Sequence, residues 1–539
     1  MKKNNAFRRA AALIAALSIT VSLAAPAFAD TYYIDYGDIT ITKNEDGSQT
    51  IEQGGDKWTD KAGEETVITT LESDLEGPAA EDSDFGPVVE DNYQSAQPES
   101  TEESEDADQP EIAEEPKSAD RQESADQQAV PVAAPAGATP VNKKDDGFWG
   151  NTITVINNIA DKVLNLTLKD VKIDVSDTGD QYDWDQKGKA ALSVQGKGNV
   201  EIELDGDNEL KSGTQSAGLE KNSTGTLTLK DDNKEAGSLT ATGGFNSAGI
   251  GGGYLGDGKN ITITGGTVTA TGGSSGAGIG GGREGKGENI TITGGTVNAT
   301  GNEDGAGIGG GSSGSGENIT INDGKVTATG GSYAAGIGGG SVGAWGGDGG
   351  SGKNITITGG TVNATGTDGG AGIGGGENGN GEDITINGGK VNASGAYGGA
   401  GIGGGVNGIG SKVTVSGAAQ VTATATGSGP DWSGVGTGAT IGNGGSKTPD
   451  GPVDGKEIQA DISHLTTGYI HHIIYNPDLD LDGKPDGILK EWWEFALPKP
   501  IPDGESLDLH VETLKGAPLL FNTRQQGKLH GDRCLFRTF

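Results

Sequence analysis

An all-β fold, a parallel β-helix of 29-residue coils, is what the sequence predicts, and three observations predict it. The first is a fixed period: Ile250, Ile279, Ile308, Ile337, Ile373 and Ile402, each inside an Ala-Gly-Ile-Gly word, are 29, 29, 29, 36 and 29 residues apart. The one long interval is absorbed by the insert Gly343 to Gly349. A period of this length with indels confined to one place is the signature of a solenoid. The second is alternation: Ile261, Ile263, Val268 and Ala270 alternate with Thr262, Thr264, Thr267, Thr269 and Thr271, the two-residue period of strands with one buried face. The third is punctuation by glycine, which supplies positive φ at sharp corners, with no 3.6-residue spacing anywhere in the period. One coil buries little alone; its Ile and Val side chains find cover on equivalent residues above and below. About nine coils are expected, with caps at both ends.

The chain opens with Lys2, Lys3, Arg8 and Arg9 before an apolar run from Ala10 to Ala25 and a small-x-small site at Ala27, Phe28 and Ala29. Residues 1–29 read as a secretory signal peptide, the run being short for a membrane span of about 20 residues. With no second apolar segment, the mature chain is expected to be secreted or surface-associated and without a membrane span. The single cysteine, Cys534, excludes an intramolecular disulfide. The net charge of −38 argues against nucleic-acid binding, which needs a basic footprint.

Residues 30–71 contain Asp38 to Thr42 and Thr66 to Thr70, strand words that read as a first coil or N-terminal cap. Residues 72–147, rich in Glu, Asp, Ser, Gln, Ala and Pro, lack the apolar side chains that offset ordering entropy and read as a disordered acidic linker. Residues 148–446 carry the repeats, beginning with degenerate, more polar coils such as Asn199 to Leu204. Atypical end coils are what capping demands.

Within that region, Leu204-Asp-Gly-Asp-Asn-Glu-Leu210, Ala217-Gly-Leu219, Thr226-Leu-Thr-Leu229, Gly237-Ser-Leu-Thr-Ala-Thr242 and Ala248-Gly-Ile-Gly-Gly-Gly253 follow in succession. This succession, over roughly Asn151 to Gly445, resembles a family of secreted bacterial right-handed β-helix proteins named for carbohydrate binding. The resemblance implies a right-handed parallel β-helix that binds plant or cell-wall polysaccharide without cleaving it, with calcium as a candidate cofactor. It carries over no binding residue, because the matched words are core strands and turns.

The triple glycines also satisfy G-x-G-x-x-G, but no helix follows, so a dinucleotide site is not expected. Calcium-binding nonapeptide repeats need an aspartate column that is missing. Asn260, Asn289, Asn318 and Asn354, with Asp383 in the fifth place, align at one corner as a stacked amide ladder. Thr262, Thr291, Thr320, Thr356, Thr385 and Thr414 align on one outer face, but Lys325, Lys390, Asn298, Asn363 and Asn392 interrupt the adjacent one, so ordinary sheet surface is expected rather than an ice-binding array.

A sugar offers an apolar face to stack and hydroxyls to bond, so candidate carbohydrate contacts are the aromatic residues of loops. Phe245, Tyr333 and Tyr397 precede the Ala-Gly-Ile-Gly word; Tyr254 and Trp345 follow it, Trp345 within the insert. Packing of these rings on turns is the competing role. No catalytic residue is assigned. Arg283 is the sole arginine between Arg121 and Arg524, all five histidines lie beyond the repeats, and Glu288, Glu317 and Glu382 form a regular turn column. Active sites break local rules once, whereas scaffolds obey them many times.

Residues 447–520 have mixed composition, with strands expected at Tyr469 to Tyr475 and Leu507 to Val511. Between them Asp478, Asp480, Asp482 and Asp486, with Gly483, have the alternate spacing of a calcium loop, against an acidic turn as the alternative. His471 and His472 are adjacent in a strand and would face opposite sides, which disfavours a shared metal. Residues 521–539 form a basic tail. A secreted, non-catalytic polysaccharide-binding protein is therefore the primary expectation; a stalk or adhesin binding a surface protein is second, and a polysaccharide lyase or hydrolase third.

Overall fold

The computed structural model describes residues 30–71, 139–342, 348–427, 434–477, 486–496 and 533–538, except positions 64, 184 and 234. Residues 1–29 and 72–138, Trp345, Asp478, Asp480, Asp482 and the strand expected at Leu507 to Val511 lie outside them. What is described is almost wholly strand, wound as a parallel β-helix.

Each regular coil contributes one strand to each of three sheets. In the coil around Ile279 these are Gly258–Ile263, Thr267–Thr271 and the two-residue Ile279–Gly280. Every one pairs in parallel with its counterpart a coil later: Ile261 faces Ile290, Val268 faces Val297, and Ile279 faces Ile308. The interior is thus a set of columns of like residues, with Ile261, Ile263, Val268 and Ile279 all at 0% exposure. Each Ile side chain contributes about 1.5–3 kcal/mol by leaving water, and only the coils above and below give it cover. The insert leaves the register intact, since Gly316 still pairs with Gly352 across it.

The third sheet stacks eleven parallel strands from Ile39–Lys43 to Ile441–Gly442, spanning roughly 50 Å at the usual strand spacing. Rungs without the Ala-Gly-Ile-Gly word at Ile153–Asn157, Leu192–Gly196 and Leu219–Lys221 bring the six that carry it to nine, and the end rungs Ile39–Lys43 and Ile441–Gly442 take the stack past the nine coils expected. Where the regular coils turn on glycine pairs between the first two sheets, the strand Asn199–Lys211 bends through both without a break. Asn208 supplies the missing bonds there, donating to the carbonyls of Leu168, Asp205 and Ser238 and accepting from the Val171 amide.

Residues 30–71 are the first turn of the stack. Asp30–Tyr33 pairs in parallel with Thr66–Thr69, which pairs with the Val163–Lys169 strand. Ile39–Lys43 then leads into an antiparallel flap, Gln49–Gln53 and Asp56–Asp60. The Tyr32 and Thr66 hydroxyls each donate to the buried Asp60 carboxylate at 2.5 Å, pinning the flap to the stack. The far end of the linker is also held: the Val141 amide donates to the Asp35 carbonyl at 2.8 Å. At the other end Tyr469–Tyr475 adds a last parallel strand beside Gln420–Thr426, and Ile488–Ala496 folds back antiparallel upon it.

Two outcomes test this account. Gly309 has φ +141°, and a Cβ there would lie 1.9 Å from the Gly338 carbonyl oxygen. Gly309→Ala should therefore cost at least about 3 kcal/mol in denaturant unfolding, because both conformation and space exclude a side chain. Asp205 is buried among Glu235 and Glu203, and burial first, then their charge, pushes its carboxyl up to about 6 despite a bond from Asn233. Folding thus favours its protonated form: the stability it contributes is complete below its ordinary value of 3.8 and is lost as pH rises through about 6. Asp205→Asn should raise stability at pH 7 by roughly 1–2 kcal/mol after allowance for solvent screening, with little effect at pH 4.

Candidate functional site

The short third strand of each coil is flanked by two tight corners, and the structure brings these corners together. The residue following each Gly-Gly-Gly word donates its amide to the carbonyl of the corner residue preceding the word one coil earlier. These bonds are Tyr254 to Gln215 at 3.1 Å, Arg283 to Asn246 at 2.9 Å, Ser312 to Ser275 at 2.8 Å, Ser341 to Asp304 at 2.7 Å, Glu377 to Tyr333 at 2.8 Å and Val406 to Gly369 at 2.7 Å. The result is one edge of the solenoid lined by paired rows, one row per coil, roughly 4.8 Å apart.

Tyr254, Tyr333, Tyr397 and Phe245 are all half-buried along this edge. They were assigned to two separate corners from the sequence; the row bonds make those corners neighbours. Tyr333 and Tyr397 adopt positive φ, 64° and 47°, in columns where Asn246, Ser275 and Asp368 do the same. A left-handed conformation costs a non-glycine residue about 1–2 kcal/mol, and here it belongs to the corner itself, which the coils turn in the same way whatever residue stands there. The fifth aromatic, Trp345, lies outside the described residues.

Sequence reasoning missed the carboxylates of the edge. Asp304 and Glu377 occupy consecutive rows, each half-buried, in columns that also hold Gln215, Asn246, Ser275, Tyr333 and Gly369 or Tyr254, Arg283, Ser312, Ser341 and Val406. Burial, then Glu303, raises the Asp304 pKa, against a lowering influence of Ser341 and Arg283. Burial, then Asp304, raises that of Glu377. The Tyr333 phenol is raised too, by burial and then by Asp368, Glu377 and Asp304. The three groups therefore share one field. Glu288 and Glu317 recur in register and pair with Lys259 and Lys286 at 3.1 and 3.0 Å, whereas Asp304 and Glu377 lie in columns whose residue changes at nearly every coil, so no column pattern marked them.

Other residues singled out from the sequence serve the scaffold. Asn289, Asn318 and Asn354 each donate a side-chain amide to the preceding asparagine's carbonyl at 3.0–3.1 Å, and Asn260 starts the ladder on the Thr224 carbonyl. Asp383 cannot donate; Lys412 instead binds it at 3.3 Å. His471 and His472 face opposite sides. His471 stacks on Trp493 and meets Glu491 at 2.6 Å; His472 is buried on Trp492 and meets the Thr440 hydroxyl at 2.6 Å. Burial, with His471 nearby, pushes His472 down to about 3. Asp486 of the Asp-rich loop is exposed. Among the described residues no group of three or more His, Cys, Asp or Glu side chains is placed to hold a metal.

The coils match a family model described as a β-helix repeat at residues 235–254, 261–283, 290–312, 319–341, 355–377 and 384–406. This agrees with the fold and covers the rows just described except for Gln215. No curated protein and no solved structure matches the chain. No described helix is long and apolar enough to cross a membrane.

Because folding favours the protonated form of a carboxyl whose pKa is raised, the stability Asp304 contributes is lost as pH rises through its folded value. Asp304→Asn should accordingly raise the melting temperature at pH 7 and leave it nearly unchanged at pH 4, in thermal denaturation monitored by circular dichroism.

Proposed function

We propose that this protein is a secreted, non-catalytic polysaccharide-binding β-helix, with the glycan lying along the row-lined edge. The observation that carries this reading is the line of half-buried rings, Phe245, Tyr254, Tyr333 and Tyr397, on a rigid edge interleaved with hydroxyl and carboxyl groups. Rings stack the apolar faces of sugars, and the polar groups between them bond the hydroxyls. A linear chain is favoured because the rows repeat along the solenoid axis. The basic leader and apolar run of residues 10–25 support secretion, and calcium at Asp478, Asp480, Asp482 and Asp486 is proposed as a stabiliser of the C-terminal module.

Two other readings have their own support. The regular rod would serve as a stalk or adhesin that presents a protein-binding surface, and the carboxyl pair Asp304 and Glu377 is the feature a hydrolase would use. Release of reducing or unsaturated ends from polygalacturonate, abolished in Glu377→Gln, would establish catalysis in place of binding.

Tyr333→Ala should weaken retention on the bound polysaccharide about tenfold, and Trp345→Ala should weaken it without lowering the melting temperature; stacking of one sugar ring is worth about 1–1.5 kcal/mol. Affinity electrophoresis through polysaccharide gels reads both. Unchanged mobility of Tyr333→Ala would remove this edge from the binding site.

A further inference from the structure

The edge carries more negative charge than the chain neutralises there. Among the described residues, no lysine or arginine forms an ion pair with Asp304 or Glu377, although Lys259, Lys286, Lys353 and Lys412 all find carboxylates on the neighbouring corner. The cation of the edge, Arg283, lies two rows from Asp304 and contacts Glu284 at 3.6 Å. Beside the Asp304 carboxyl is Ser341, 1% exposed, whose hydroxyl makes no hydrogen bond of normal geometry. In the same wall, next to Arg283, the Asn246 side chain is 2% exposed and its Nδ2 has no partner. Buried polar atoms of this kind are ordinarily satisfied, and those that are not point to a missing partner. Two carboxylates with hydroxyl and amide neighbours fall short of a calcium cage, which takes six to eight oxygens, and no metal-binding group of three ligands is present among the described residues.

We propose that the edge recognises a polysaccharide bearing free amino groups, a glucosamine-type chain, whose ammonium is held by Asp304 and Glu377 while Tyr333 stacks the ring. The inference deepens the polysaccharide-binding reading and rests on it. An ammonium neutralises two carboxylates that repel each other and belongs to a ligand that is otherwise hydroxyl-rich. A polyuronate would add a third carboxylate to the same field.

The test is retention of the full secreted chain on immobilised oligomers of glucosamine, N-acetylglucosamine, β-linked glucose and galacturonate, at about 0.15 M salt. Glucosamine oligomers should be held best at pH 7 and lose at least tenfold in affinity at pH 4. The double variant Asp304→Asn/Glu377→Gln should lose at least tenfold at pH 7 while its melting temperature rises rather than falls, and Arg283→Gln should bind more tightly than the parent. Equal retention of glucosamine oligomers by the double variant would assign binding to the general acidity of the chain and overturn the proposal. Preference for the acetylated, neutral or galacturonate oligomers would overturn it while leaving a polysaccharide-binding edge. Failure to retain any oligomer would overturn both.

Discussion

In-register parallel pairing between coils is the interaction on which the rest of the molecule depends. It places isoleucine over isoleucine in the first and third sheets and valine over valine in the second, so each buried side chain completes its neighbour's cover. The same pairing fixes what the outside can display. A residue that changes from one coil to the next alters one rung of a surface column, while the interior beneath it remains identical. Arg283, Asp304 and Glu377 sit on corners whose hydrogen bonds are those of Ser312 and Ser341, which is why the chain can carry chemistry there without disturbing the stack.

Glycine has a second part in this. In the regular coils the third-sheet strand is only two residues wide, and the glycine after each isoleucine lies against the next coil's carbonyl. Such close approach draws the two flanking corners together and makes an edge of them. A wider strand would separate Tyr254 from Gln215 and Glu377 from Tyr333, and the rows would not form. The feature that looks most like simple filler in the composition is therefore what creates a continuous binding surface.

Most of the fold was legible because its cause is periodic. Alternation at Ile261 to Thr264 and Thr267 to Thr271, glycine between them and the repeated Ala-Gly-Ile-Gly word together state the three strands of a coil. The coils lacking that word were harder: the bend within Asn199–Lys211 relies on Asn208, whose three carbonyl partners come from three different strands and leave no local pattern. The aromatic residues of the edge could be picked out one by one, but their common location could not, because amide-to-carbonyl bonds between coils bring the corners together. Asp304 and Glu377 were overlooked for a related reason. They are separated by more than two coil-lengths of chain, and each lies in a column whose residue changes from coil to coil, so no pattern marks it.

The two ends of the stack have a consequence for assembly. A parallel β-helix that stopped at an open rung would offer a template for another chain's rung, and growth by addition would be downhill. Here the first rung of the third sheet is covered by the antiparallel flap Gln49–Gln53 and Asp56–Asp60, anchored through Asp60. The last is covered by the turn in which Ile458 and Glu457 bond Ile441 and Gly442. The second sheet runs through the reversed strand Ile488–Ala496 to Arg533–Thr538, which pairs antiparallel with it. Reversal of direction at these edges removes the parallel template on which another coil would grow. The length of the rod is thus encoded by its terminators rather than by the repeat, and repeats can be gained or lost between them while the product stays a discrete particle instead of a fibre.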